Sequence, residues 1–197
     1  MKKIAITGGI GSGKSTISHY FKKKGYDVHD ADAVVSDLYK KPNNKFLDLL
    51  HSSGLNNIIK NNKIDKKIIA KNIFINKKFK IKLEKFIHKE VSIKRENFIQ
   101  RCLKLKKKVV FLDIPLLFEN SLEKKFDLVL CIISTKTNRT KRVIKNKKFS
   151  IDVLKKIYKN QTNDKQRKLR SDIIINNNKT KKDFILAAKI FLISILK

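Results

Sequence analysis

Gly8-Gly9-Ile10-Gly11-Ser12-Gly13-Lys14-Ser15-Thr16 satisfies the pattern G-x-x-x-x-G-K-[ST], with Gly8 and Gly13 as its fixed glycines and Lys14-Ser15 as its close. The run before it, Lys3-Ile4-Ala5-Ile6-Thr7, reads as a short buried strand. The run after it, Ser15 to Lys24, sets Ile17, Tyr20 and Phe21 on one helical face. Strand, glycine loop and helix is the context in which this pattern cradles phosphate; without it the match is only a glycine-rich turn. The glycines let the backbone curl so that successive N–H groups point at phosphate oxygens, and the helix N-terminus adds a favourable dipole. Lys14 would reach the β- and γ-phosphates, and the Ser15 hydroxyl would ligate Mg²⁺. The ligand predicted is a purine nucleoside triphosphate.

Working outward, Gly25 to Asp30 reads as a turn and a second strand. Asp30-Ala31-Asp32 ends that strand and opens a helix with Val34, Val35 and Leu38 as its apolar side. Ligands of an open α/β sheet gather outside the carboxyl ends of its strands, which suits two carboxylates to chemistry there. Aspartate also caps helices, and the residues alone leave both readings open. Val109-Val110-Phe111-Leu112-Asp113 is an apolar run ending in an acid, the form of a strand whose Asp helps hold Mg²⁺. The apolar loop Pro115-Leu116-Leu117-Phe118-Glu119 adds one more acid.

Phe126 to Ile133 reads as a fourth strand and Asp172 to Ile175 as a fifth, ending in Asn176-Asn177-Asn178. Between them stand a basic helix over Lys136 to Lys147, with Arg139 and Arg142, and a helix capped by Ser150 that runs to about Gln161. An amphipathic helix from Lys182 closes the chain. Strands alternating with helices in this way predict an α/β fold, a three-layer, doubly wound sheet of five parallel strands. Pro42 to about Arg101 interrupts the rhythm. It shows no strand signal after Gly54 and has helical spacing at Ile68, Ile69, Ile73 and Phe74, then at Leu83, Phe86, Ile87, Val91 and Phe98. Such a helical insertion can cover a substrate. Its lone His88 reads, by itself, as structural. The expected organisation is one domain over residues 1–197, with a core of 1–40 and 106–197, an insertion of about 41–105 and a lid of about 136–162.

Composition bounds the setting. The formal charge is +31 in 197 residues, with 41% hydrophobic residues, enough for a core. Such a charge suggests nucleic acid or an anionic surface. The excess is lysine rather than arginine, spread from end to end amid many Asn and Ile residues, whose codons are A/T-rich, so compositional drift accounts for it more simply. Cys102 and Cys131 form no C-x-x-C or Cys/His cluster, which argues for a reducing compartment and against structural zinc. Met1-Lys2-Lys3 enters the first strand directly, without a signal-peptide pattern, and Lys189 interrupts the apolar tail Phe184 to Leu196. A cytoplasmic, soluble monomer with no membrane partner is expected.

Assembled in order, these residues resemble one family, the dephospho-CoA kinases, over nearly the full chain. Thr7 to Thr16 resembles that family's form of the phosphate loop, and Asp30-Ala31-Asp32 lies at the expected distance behind it. Ile73-Phe74, Leu83-Glu84 and His88 resemble its helical substrate region. Asp113 to Glu119 resembles its third-strand motif, and Gln161, Asp172 and Asn177 its C-terminal pattern. The resemblance implies a nucleoside-kinase-like core that uses ATP and Mg²⁺ to phosphorylate the ribose 3′-hydroxyl of dephospho-CoA, giving coenzyme A and ADP. It implies Asp32 as catalytic base, with Lys14 and Asp30 beside it. Gly9, Gly11, Ser12, Gly13, Lys14, Ser15, Thr16, Arg142 and Asn177 would bind ATP. Asp32, Lys66, Phe74, His88, Leu116 and Glu119 would bind the acceptor, and Ser15 and Asp113 the metal.

The chain departs from the family pattern at Lys66, where an Arg is usual, at Lys89 for Pro and at Lys179 for Gly. In the lid motif R-x-x-x-R, Arg142 takes the first place and Asn146 the second, leaving Lys145 or Lys147 as substitutes. Two other functions compete, beside a less favoured GTPase switch: a P-loop kinase acting on a nucleoside monophosphate or small alcohol, and a nucleic-acid-associated ATP-binding protein motivated by charge alone. No aromatic–basic interleaving favours the second.

Overall fold

Lys2–Thr7 forms β1, the central strand of a five-stranded, all-parallel sheet ordered β2–β5–β1–β6–β7 in this computed structural model. The other strands are β2 (Asp27–Asp30), β5 (Val109–Asp113), β6 (Leu128–Ile133) and β7 (Ile173–Asn176). The structure describes residues 1–56, 58–60, 63–146 and 149–196. The chain divides into two compact units, Met1–Asp30 with Arg101–Lys197, and Ala31–Gln100.

In the first unit the strands are apolar on both faces, as a parallel sheet between helices requires. Alternate residues Ile4, Ile6, Val109, Phe111, Leu130 and Ile132 share one face. They pack with Ile17 and Phe21 of α1 (Lys14–Lys23) and with Phe184, Ala188 and Phe191 of α9 (Lys181–Leu196). Phe21 is fully buried, its ring centroid 4.4 Å from that of Phe111 and 6.0 Å from that of Phe191. Phe21→Ala should therefore destabilise the protein by about 3–5 kcal/mol, read from the midpoint of chemical denaturation.

From β1 the chain fills β2 and β5 on one side and then β6 and β7 on the other, so the order reverses beside β1, where doubly wound sheets bind ligands. Register sets Asp113 opposite both Ile6 and Asp30, which brings three carboxyl ends together. Between β6 and β7 run α6 (Lys136–Lys145), α7 (Ile151–Asn160) and α8 (Asp164–Leu169). Thr135, Ser150 and Asn163 cap them by accepting from the N–H groups of Asn138, Val153 and Gln166. The Ser150 cap was expected; α8 was not. It is one short polar helix with no apolar period to betray it. The fourth and fifth strands also begin later than expected. A 3₁₀ turn at Glu123–Lys125 precedes β6, and Asp172 stands outside β7, its carboxylate accepting the Val129 N–H at 2.7 Å.

The second unit holds α2 (Ala31–Lys40), α3 (Asn44–His51), α4 (Lys66–Ile75) and most of α5 (Lys77–Lys104). Its core gathers Phe46, Leu50, Ile58, Ile69 and Leu83, with the Phe46 and Phe86 rings stacked at 5.4 Å. The expectation of no strand after Gly54 is corrected here: β3 (Ile59–Lys60) and β4 (Lys63–Ile64) pair antiparallel. Strands of two residues are too short for alternation to be read. Asn76 separates α4 from α5, its carboxamide oxygen accepting the Phe79 N–H at 2.9 Å. Among the described residues no helix is long and apolar enough to cross a membrane.

Candidate functional site

The loop between β1 and α1 has the conformation its glycines permit. Gly13 caps α1 at φ 112°, a left-handed geometry that strains any residue with a Cβ. A side chain there would also strike the Asn177 carboxamide and approach the Phe184 ring to 3.1 Å. Gly9 is required for a different reason. It does not adopt the left-handed region, but a Cβ on it would land on the Arg139 guanidinium. Lys14 folds back over the loop, Nζ donating to the Gly8 carbonyl at 2.9 Å. An open cleft of about 280 Å³ follows Ile10 through Thr16 and is closed by Arg142, Val143 and Asn146 of the α6 segment.

Arg142 and Asn177 hold the loop. Asn177 Nδ2 donates to the Ser12 carbonyl at 2.7 Å, and its own carbonyl accepts from Arg142 Nη2 at 2.7 Å. Arg142 Nη1 donates to the Gly11 carbonyl at 3.3 Å and to Ser134 Oγ at 3.2 Å. The carbonyls of residues 11 and 12 are thus occupied by donors, which lowers their repulsion of an anion. Ser15 and Thr16 are exposed in the first turn of α1.

Asp113, 6% exposed, accepts from Ser18 Oγ of α1 at 2.7 Å. Asp30, opposite it in the sheet, is half-buried with Lys22 Nζ at 3.8 Å. Cys131, opposite Thr7, has its thiol pKa pushed up by burial, which keeps it protonated and unreactive. Among the described residues no three His, Cys, Asp or Glu side chains gather to hold a metal by themselves. A hydroxyl and a carboxylate beside a phosphate cradle suit Mg²⁺, which binds through one or two protein oxygens, phosphates and water.

The first unit therefore brings together residues 9–16, Arg142, Asn177, Asp30 and Asp113. Asp32, Lys66, Phe74 and His88 belong to the second unit, and all four are exposed. Asp32 lies in the first turn of α2. Lys66 Nζ sits 5.1 Å over the Tyr39 ring, and Phe74 is 83% exposed. Leu116 is exposed in the first unit. Glu119 is engaged: its Oε1 accepts the Thr162 N–H at 2.7 Å and lies 3.6 Å from Arg167 Nη2. Of the two lysines offered for the missing lid arginine, Lys145 is exposed in the last turn of α6 and Lys147 lies outside the described residues. Asn62-Lys63-Ile64-Asp65 spells Asn-Lys-x-Asp, a pattern by which GTPases read guanine. Here Asp65 caps α4, accepting the Lys67 N–H at 2.9 Å, while Asn62 lies outside the described residues.

Sequence reasoning gave no role to the buried arginines Arg139 and Arg167. A signal was present. Only six of the 48 basic residues are arginines, and four of them, Arg139, Arg142, Arg167 and Arg170, fall within this one segment. In a chain whose basic residues are nearly all lysine, four arginines gathered in one segment point to places needing a planar, multidentate donor.

A family model of dephospho-CoA kinases matches residues 2–183. A dephospho-CoA kinase of Fusobacterium nucleatum is 35% identical over 180 residues, covering 91% of each chain. A solved dephospho-CoA kinase of Campylobacter jejuni matches with a TM-score of 0.75 at 27% identity, covering 99% of this chain and 98% of its own. A Thermus thermophilus protein of known structure matches with a TM-score of 0.77 at 26% identity, covering 98% and 97%.

Proposed function

The chain belongs to the dephospho-CoA kinase family, and from that membership we propose how its residues divide the work of the reaction. That reaction is the ATP-dependent phosphorylation of dephospho-CoA in coenzyme A biosynthesis, a transfer to an alcohol. The observation that carries the reading is the phosphate loop with its cleft walled by Arg142 and Asn146 and its carbonyls held by Arg142 and Asn177.

Gly9, Gly11, Ser12, Gly13, Lys14, Ser15 and Thr16 bind the phosphates of ATP, and Lys14 exchanges its bond to the Gly8 carbonyl for the β- and γ-phosphates. Ser15, with Asp113 behind it, would hold a Mg²⁺ that neutralises phosphate charge when bound. Asp32 accepts the proton of the ribose 3′-hydroxyl as that oxygen bonds to the γ-phosphorus. The bond from that phosphorus to the β–γ bridging oxygen breaks and ADP leaves. Asp30 assists in orientation. Lys66, Phe74, His88, Leu116 and Glu119 are assigned to the acceptor, with Glu119 acting through the segment it tethers. Arg142 and Asn177 line the ATP side. The enzyme works as a cytoplasmic monomer in this reading, which sedimentation and cell fractionation test.

An assay coupled to ADP release should give turnover with dephospho-CoA and only background with AMP or simple alcohols. Equal rates with a nucleoside monophosphate would overturn the reading in favour of a nucleotide kinase, and phosphorus NMR of the product would locate the new phosphate.

A further inference from the structure

Two buried guanidinium groups press on the first turn of the phosphate loop, and the reaction just described gives them no part. Arg139 of α6 is 6% exposed and Arg167 of α8 is 2% exposed. One carboxylate joins them: Arg139 Nη2 donates to Asp164 Oδ2 at 3.1 Å, and Arg167 Nη1 to Asp164 Oδ1 at 2.9 Å. With Glu119 beside Arg167, two cations face two anions, a balance that makes burial of the arginines tolerable. Both arginines reach Gly9, where any side chain would strike Arg139 and come within 3.0 Å of Arg167 Nη1. The same segment grips the next residue, because Gln161 Oε1 accepts the Ile10 N–H at 3.1 Å.

We propose that this cluster is a latch that sets the backbone of Gly9 and Ile10 for ATP, making Asp164 and Gln161 positioning residues of the nucleotide site. A phosphate loop binds through the directions of its N–H groups, so its affinity depends on the fraction of molecules in which those directions are already set. Gly9 and Ile10 lie beyond the ladder of β1 and before the first turn of α1, and glycines flank Ile10 on both sides. Inside the loop the Ser12 N–H donates to the Gly9 carbonyl at 3.1 Å, and the wall adds its contacts from outside. Gly9 has no side chain so that the wall can touch the backbone itself. Arginine suits the wall because its planar fork bonds one carboxylate while a flat face lies on Tyr158, 5.2 Å from Arg139. Loosening the wall lets the loop sample other conformations and weakens ATP in proportion.

The inference rests on reading the loop as the ATP site, and its test is therefore a binding measurement rather than turnover. ATP with Mg²⁺ is titrated calorimetrically into the wild type, Asp164→Asn and Gln161→Leu, with thermal denaturation alongside. Both variants should raise the Kd for ATP by roughly tenfold, and by more than they raise the Kd for dephospho-CoA. Asp164→Glu should recover part of the affinity. Gln161 is only half-buried, so Gln161→Leu carries the test even where Asp164→Asn fails to fold. An unchanged ATP affinity in Gln161→Leu, or a lowered melting temperature with no change in affinity in either variant, would overturn the latch. Absence of dephospho-CoA turnover in the wild type would instead sink the reaction while leaving the ATP titrations to judge the latch.

Discussion

Asp32→Asn should phosphorylate dephospho-CoA roughly 10²- to 10⁴-fold more slowly than the wild type, the loss expected when a general base is removed. Asparagine keeps the size and can still accept hydrogen bonds, but it cannot take the proton from the attacking hydroxyl. The competing role for Asp32 is structural, since it lies in the first turn of α2, where a negative charge favours the helix. The two roles differ sharply in size. An exposed first-turn carboxylate contributes only about 0.3–1 kcal/mol through the helix dipole, which melting would register and kcat would not. Steady-state kinetics with ATP saturating, measured beside thermal denaturation, separates them. A near-normal kcat with lowered stability would return Asp32 to the helix and leave the base unassigned.

Lys14→Met should lower kcat by roughly 10²- to 10³-fold, the scale for deleting one preorganised donor to a transition-state oxygen. The ammonium is bonded to the Gly8 carbonyl, so the charge stands inside the loop. Methionine preserves the stem and removes the cation. Because charge on the transferring group is redistributed on the way to the transition state, kcat should fall more than the affinity for ATP. A raised KM for ATP with kcat unchanged would mean that Lys14 binds ground state and transition state alike.

The first unit was largely legible in the sequence because its physics is local. Buried parallel strands are continuous apolar runs, and each here sits within two residues of the expected start. The glycine loop was legible because the backbone at Gly8, Gly11 and Gly13 takes a conformation other residues rarely adopt. What escaped was set by long-range contact. The pairing of Ile59–Lys60 with Lys63–Ile64 is too short to leave a period. Arg139 and Arg167 look like two more cations in a chain of 48 until folding buries them against Asp164. Nothing in its spacing marked Glu119 as a tether of the segment between β6 and β7, because its partners Thr162 and Arg167 stand more than forty residues on. Lys66, Phe74 and His88 owe their assignment to family resemblance alone, and all three are exposed.

The hydrogen bond from Ile10 to Gln161 has a consequence for how this enzyme can be watched. A backbone amide inside the nucleotide loop takes its protection from the junction of α7 and α8, far along the chain. Deuterium uptake at that one amide, followed by NMR, would report excursions of the junction. The chain carries its own reporter inside the glycine loop.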